Sequence, residues 1–454
     1  MRKASAAQLL RALPGPTAAL VEAVISEADA RGLALYLVGG PVRDFLLGRG
    51  VGDVDLIVEG RSGGDALEVA RAVASPQMRV TAHDRFGTVA LKTPDASIDL
   101  ATVRRETYAY DGALPTVVEG TLEDDLRRRD FTVNALALPL SQVARSRQPG
   151  IVDLEDGMAD LERRCLRVLH SRSFHDDPTR ALRAARLAPR LGFALTRGSR
   201  TALRDALRDG AFGRVSGDRL RREIVKAFED ARLGLDPARA LRLLDDWHVL
   251  GALEPGLALA PESTPALRRL GRVIAAPPWP SRRWNPWVSG AAVWLAPQAP
   301  ELRRRALRRL AVRGAALRRI GDFPKARDGW LRALAEARGR GAIDAALSGL
   351  DEDQLHALLA CAPAPTRRRI VRYACEDRAR RAPVSGGDLV AMGLSGPAVG
   401  RALARIRAAF LDGNVGTRDD ALALSREFAG RGSTRAGSAK RRKRPAKARD
   451  AAGR

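Results

Sequence analysis

Residues 37–58 read LVGGPVRDFLLGRGVGDVDLIV: an apolar run meets two glycines, a short helix opens at Pro41, and the chain becomes apolar again through Asp53-Val54-Asp55. Leu35 to Val38 has the composition of a buried strand. Gly39 and Gly40 form a turn that lets a ligand approach the backbone, and Gly48 closes the helix that Pro41 begins. Free N–H groups at such a helix start suit a phosphate, although a Gly-Gly turn is equally an ordinary structural joint. The acids are the sharper signal. Residues i and i+2 of a strand share a face, so Asp53 and Asp55 hold their carboxylates together while Val54 points into the core. Two like charges at that spacing repel unless a cation neutralises them, and hard oxygen donors suit Mg²⁺. The plainer alternative makes one acid a turn residue and the other a surface charge.

Outward from this stretch, residues 33–140 alternate short β-like runs (LALYLVGG, DVDLIV, TVALKT, SIDLATV) with helical segments, the pattern of a small α/β domain. Beyond about residue 160 the apolar spacing is helical nearly throughout. Helices are expected over 176–191, 199–209, 216–230, 237–250, 300–320, 327–348, 352–362 and 395–410. The expected fold class is α+β: a small sheet-bearing head followed by an all-helical remainder. The expected divisions are an N-terminal helical extension (1–32), the head (33–160), a helical neck (161–235), a helical body and tail (236–430) and a basic terminus (431–454).

Three further clusters carry chemistry. SIDLATV puts Asp99 in a second strand, where it could join Asp53 and Asp55 in a two-metal carboxylate cluster or be a plain strand-end charge. DDLRRRDFTVNALA (124–137) sets Arg128 and Arg129 beside Asp130, guanidinium forks for phosphate next to an acceptor for ribose hydroxyls, or else a solvated helix start. FHDDPTRALRAARLAPRLGF (174–193) places Asp177 and Arg180 on one helix face, with Arg183 and Arg186 following. Such a pair could be only a salt bridge. It is also an acceptor and a donor in fixed relation, able to read a base edge. Cytosine and adenine both offer an exocyclic amine beside a ring-nitrogen acceptor, which Asp plus Arg complement; uracil and guanine leave that pair mismatched.

Composition points to the partner. Lys and Arg number 78 against 53 Asp and Glu, a formal charge of +25 that favours a polyanion, RNA or DNA first. Residues 431–454 hold ten Lys/Arg and one Asp without apolar periodicity, and are expected to be a disordered electrostatic arm or a solvating end. Three widely spaced cysteines lack metal-ligand spacing and read as reduced thiols. No run of eighteen apolar residues and no signal-peptide core is found, so a soluble cytoplasmic protein without membrane attachment is expected, with no protein partner implied. Trp279, Trp284, Trp287 and Trp294 could stack on RNA or pack helices.

The ordered set LVGGPVRDFLLGR…DVD, DLRRRDFTVNALA, DLEDGMADL and DDPTRALRAAR resembles the class II tRNA nucleotidyltransferase (CCA-adding enzyme) and bacterial poly(A) polymerase family, of the polymerase-β superfamily. Weaker likeness continues through VSGDRLRREIVKAF (215–228), LLDDWHVLGALEPGL (243–257) and SGGDLVAMGLSGPAVGRALARI (385–406). The resemblance implies a nucleotidyltransferase head, with neck, body and tail gripping the acceptor end of tRNA. It implies Mg²⁺ on Asp53 and Asp55 with Asp99 as a further catalytic acid. It implies triphosphate contacts from Gly39, Gly40 and Arg43, and ribose and phosphate contacts from Arg129 and Asp130. Asp177 and Arg180 become the protein template for CTP and ATP, flanked by Arg183 and Arg186, and Gly157, Asp160 and Leu161 a joint between head and neck. The chain departs from the family in Asp176, where Glu is usual, and in Leu187, where an aromatic is usual. Members add CCA, CC alone, A alone or poly(A); Thr107–Thr121 falls where the family carries a mobile loop that switches C to A, which favours full CCA addition. No His-Asp phosphohydrolase pair is expected among the five histidines.

Overall fold

The computed structural model describes residues 5–60, 65–83, 87–281 and 283–426. The chain divides into two compact units: Met1–Ala260 with Gln298–Arg313, and Pro261–Pro297 with Gly314–Arg454. The expected basic arm at 431–454 lies outside the described residues.

The first unit opens with helices α1 (Ala6–Ala12), begun by a Ser5–Gln8 capping box, and α2 (Gly15–Ala30). Then follow β1 (Ala34–Val38), α3 (Gly40–Leu46), β2 (Asp55–Glu59), α4 (Asp65–Val73), β3 (Arg79–His83), β4 (Thr88–Lys92) and β5 (Ser97–Thr102). A hairpin of β6 (Arg104–Thr107) and β7 (Thr116–Glu119) leads to α5 (Leu122–Arg127), β8 (Leu136–Pro139), α6 (Gln142–Arg147), β9 (Val152–Asp153) and α7 (Gly157–Glu162). Seven strands make one sheet in the order β3-β4-β5-β2-β1-β8-β9. Every neighbour pair is antiparallel except β2 and β5, which run parallel. β1 is covered on both faces and all five of its residues are buried, which is why it reads as an unbroken apolar run. β5 alternates instead, with Ile98 and Leu100 buried and Asp99 exposed.

Past the head the first unit is helical, apart from the two-residue pairing of β10 (Cys165–Leu166) with β11 (Ala194–Leu195). Its helices are α8 (Ser173–Asp176), α9 (Thr179–Leu191), α10 (Arg197–Arg208), α11 (Gly217–Glu229), α12 (Pro237–Asp246) and α13 (Val249–Leu253). α9 stops at Gly192, whose φ of 73° gives a left-handed cap. After Ala260 the chain leaves this unit and later returns to it with α16 (Pro300–Arg309). There Arg221 Nη1 donates to the carbonyls of Leu310 and Ala311, and Arg309 Nη2 to that of Phe212.

The second unit holds α14 (Ser263–Ala275), α15 (Pro286–Leu295), α17 (Gly314–Glu336), α18 (Arg340–Leu347), α19 (Glu352–Cys361), α20 (Ala364–Arg372), α21 (Gly386–Ala391) and α22 (Pro397–Leu411). α14, α15, α20 and α21 fall outside the spans expected from apolar spacing. The helix expected over 300–320 is two, broken where Ala311 and Gly314 take positive φ (50° and 62°), and that over 327–348 is broken at Gly339 (φ 89°). The tryptophans pack helices: Trp279, Trp287 and Trp294 are buried, and Trp284 stacks on His356 with ring centroids 3.7 Å apart. Among the described residues no helix is long and apolar enough to cross a membrane.

Candidate active site

The turn after β1 requires glycine. Gly39 has φ 78°, and a Cβ there would lie 2.5 Å from Arg129 Nη1. From this turn the backbone enters α3, and Arg43 on that helix points inward. Its guanidinium donates to Asp44 Oδ1 (2.8 Å) and Asn134 Oδ1 (2.5 Å), and only 3% of the residue is exposed. Arg43 therefore braces α3 against the 131–134 segment and is absent from the wall of the cavity described below, where a triphosphate contact was expected of it.

The acids gather at one end of the parallel pair. Asp55 opens β2 and stands in register with Asp99 of β5, whose N–H donates to the Val54 carbonyl at 2.9 Å. Register partners on neighbouring strands face the same way, so the two carboxylates share a face. Val54 is buried at 2%, as expected, whereas Asp53 lies in the bend before β2 rather than within the strand. Burial, and then the charges of Asp99 and Asp53, push the Asp55 carboxyl up to about 6 against the pull of Arg129. Three acids acting on one another in this way are relieved by a cation. Among the described residues no three His, Cys, Asp or Glu side chains converge into a cage that holds a metal unaided. Asp55, with Asp53 and Asp99 near it, offers hard oxygen donors that suit a divalent cation.

Beside the acids is a polar cavity of about 420 Å³, within the roughly 300–1,000 Å³ usual for ligand sites. Gly40 and Asn134 line it, with Arg129 and Asp130 from the expected RRD motif and Asp177, Arg180 and Arg183 from the segment entering α9. Arg128, named with Arg129 as a guanidinium fork, lines it as well, and sequence reading missed three more: Arg104, Glu106 and Tyr108. A signal was present, because Arg104 and Glu106 share one face of β6 and Tyr108, just past its end, continues the two-residue period.

Each charge in the cavity is held in place. Glu106 accepts from Arg128 (2.9 Å), from Arg104 and from the Tyr108 hydroxyl (3.0 Å). Asp125, wholly buried, accepts from Arg128 (2.6 Å) and Arg129 (2.9 Å). Burial alone would raise the Asp130 carboxyl, but Arg183 at 3.1 Å and the Asn134 amide at 2.8 Å overcome this and hold it low. Arg180 is anchored on uncharged groups, Ser173 Oγ (2.5 Å) and the Arg128 carbonyl (2.8 Å). Asp177 Oδ1 accepts from the amide (3.0 Å) and hydroxyl (2.6 Å) of Thr179 and from Arg219 (2.8 Å). It does not pair with Arg180.

Arg186 lies apart from this group, pinned to Glu223 (2.8 Å) and Asp230 (2.8 Å), so it joins α9 to α11 and does not reach the cavity. Asp160, on α7, accepts from the Thr132 hydroxyl (2.6 Å) and Arg167 (2.7 Å), tying α7 to the segments on either side of it in the chain. Residues 107–121, expected as a loop, form the β6–β7 hairpin. Its turn is tethered by Asp111 to Arg172 (2.7 Å) and Arg214 (3.2 Å), and by the Gly112 N–H to the His175 carbonyl (2.8 Å).

Residues 35–167 match the family model described as the poly A polymerase head domain. Over 91% of this chain the sequence is 31% identical to the A-adding tRNA nucleotidyltransferase of Geobacter sulfurreducens, of which it spans 47%, about half the length of that relative. It is 35% identical to the CC-adding tRNA nucleotidyltransferase of Deinococcus radiodurans, over 87% of this chain and 90% of that protein. The fold matches the Thermotoga maritima CCA-adding enzyme complexed with tRNA_CCA at a TM-score of 0.71 and 26% identity, covering 94% of this chain and 100% of that one. With the 35% identical relative aligned over nine-tenths of its own length, the chain belongs to the tRNA nucleotidyltransferase family.

Proposed function

We propose that this protein extends the 3′ end of tRNA with C, A or both from CTP and ATP, choosing the base with its own side chains. The observation that carries the reading is that Asp177 and Arg180 line one cavity together with Arg129, whose charge acts on Asp55 beside Asp53 and Asp99. Arg128, Arg129 and Arg183 supply fixed cationic walls for a triphosphate, and Asp130 an acceptor for ribose hydroxyls. The Asp177 carboxylate accepts the exocyclic amine of cytosine or adenine, and Arg180, its fork fixed by Ser173 and the Arg128 carbonyl, donates to the adjoining ring nitrogen. Uracil and guanine would bring a carbonyl to Asp177 and a ring N–H to Arg180.

Asp53 and Asp55 are the residues that hold a divalent cation, Mg²⁺ by the hardness of the donors, with Asp99 beside them. When bound, it supplies charge neutralisation at the phosphates and lowers the pKa of the attacking hydroxyl. In the transfer itself the RNA 3′-oxygen bonds to the α-phosphorus, the bond to the β-phosphate bridging oxygen breaks, and pyrophosphate leaves. The protein's contribution is placement, since base, ribose and phosphates are each met by side chains already fixed by other contacts.

Three tRNA transcripts, ending before CCA, after C and after CC, test this when each is incubated with Mg²⁺ and CTP, ATP or both. Completion of CCA from the shortest defines a full CCA-adding enzyme, a stop after CC a CC-adding one, and extension of the CC-ended transcript alone an A-adding one. An unending A ladder makes it a poly(A) polymerase. No incorporation by the parent, or undiminished incorporation by Asp53→Ala/Asp55→Ala, refutes the proposal.

A further inference from the structure

Arg219, on α11, lies outside the cavity wall yet touches the residue that reads the base. Its Nη2 donates to Asp177 Oδ1 at 2.8 Å, and its Nη1 to the carbonyls of Gly112 (2.8 Å) and Ala113 (3.4 Å) in the hairpin turn. Only 17% of its side chain is exposed. The turn is itself immobilised by Asp111 and by the Gly112 N–H, and Gly112 has φ 74° with Val215 Cγ2 3.1 Å from where a Cβ would stand. The guanidinium is therefore clamped on one arm by backbone carbonyls and presents the other arm to a carboxylate.

This fixes which oxygen is used. Asp177's three hydrogen bonds, two from Thr179 and one from Arg219, all fall on Oδ1. A carboxylate oxygen has two lone pairs, so Oδ1 is saturated and Oδ2 is left as the acceptor for a ligand. Thr179 alone does not set the plane of the carboxylate, because both its donors come from one residue on one side. The guanidinium approaches from another element and stops rotation about the Cβ–Cγ bond.

We infer that Arg219 is a positioning residue for base selection: it turns the Asp177 carboxylate so that Oδ2 alone meets the exocyclic amine of the incoming nucleotide. The inference rests on Asp177 being the base-reading acid, and the test separates the two.

In the full-length protein, kcat/KM is measured with CTP, ATP, UTP and GTP singly on one RNA primer, for the parent, Asp177→Ala, Arg219→Ala and Arg219→Gln, alongside melting temperature. Arg219→Ala is expected to lower the preference for the accepted nucleotide over UTP or GTP by about tenfold or more, the loss of one oriented charged hydrogen bond. Arg219→Gln keeps a donor for the Gly112 carbonyl but does not span both anchors, so it should lose the preference too. It decides the matter if the Ala variant does not fold. If Asp177→Ala loses the preference and the folded Arg219 variants keep it, or lose rate equally toward all four nucleotides, Arg219 has no positioning role and Asp177 still reads the base. If Asp177→Ala keeps the preference, the assignment of Asp177 fails and the role of Arg219 falls with it.

Discussion

At Asp55 the proposed cation-binding role and stability pull in opposite directions. The carboxyl is pushed up to about 6 because it is partly buried and has Asp99 and Asp53 for neighbours. The ionised form therefore costs folding energy at neutral pH whenever no cation is bound. Asp55→Asn is expected to abolish nucleotide incorporation and, with EDTA present, to melt above the parent, by on the order of 1 kcal/mol after solvent screening. A melting curve lower than the parent's would show that repulsion among these acids is unimportant. Asp125 is the opposite case, a buried acid on which Arg128 and Arg129 both depend. Asp125→Ala should cost about 3–5 kcal/mol, read by urea denaturation, because Arg129 loses its counter-charge and Arg128 is left with Glu106 alone. Asp55 and Asp99 were legible as strand residues from the apolar runs around them, but the strand spacing that paired Asp53 with Asp55 does not hold, because Asp53 sits in the bend before β2. Arg43 was not legible: its partner Asn134 is 91 residues away, and a buried arginine resembles an exposed one in a string of letters.

The helices and the hairpin add constraints that residue types alone do not reveal. α9 carries Arg180, Arg183 and Arg186 at three-residue steps, a spacing that sends them to different duties as the helix turns. Arg180 and Arg183 line the cavity; Arg186 ends on Glu223 and Asp230. Arg186→Ala should therefore lower stability by about 2–3 kcal/mol while leaving KM for CTP and ATP unchanged in the folded enzyme, measured by thermal melting and steady-state kinetics. A large rise in nucleotide KM would move Arg186 back to the triphosphate. At the β1–α3 turn, Gly39→Ala meets both the left-handed backbone and Arg129 Nη1, on a guanidinium whose Nη2 is held by Asp125. The expected result is a loss of about 1–2 kcal/mol in stability and a clear rise in nucleotide KM as Arg129 is displaced. Helix starts and the sheet core were readable from periodicity and capping residues. The interruptions at Ala311 and Gly339, both at positive φ, were not, since Ala, Leu and Arg are frequent on both sides of them.

Over the whole molecule, charge and chain path matter most. A formal charge of +25 makes RNA affinity a counterion-release effect, so KM for tRNA should climb steeply between about 50 and 200 mM salt while KM for CTP moves little. A flat salt profile for tRNA would remove the electrostatic footing of the interaction. The chain path is not simple: Gln298–Arg313 belongs to the first unit, although the preceding segment belongs to the second. A fragment ending at residue 260 lacks α16, so Arg221 loses the Leu310 and Ala311 carbonyls that hold its guanidinium. Such a fragment should show faster hydrogen exchange in α11 than the intact chain does. Folding on the ribosome inherits the same dependence. The head and neck are complete in sequence about 50 residues before the helix that finishes their unit has been made. At roughly 5–20 residues per second the nascent protein spends several seconds with the Gly217–Arg221 face uncovered. That interval is when a chaperone has most to protect, and when slower translation between residues 260 and 313 would most depress the yield of enzyme.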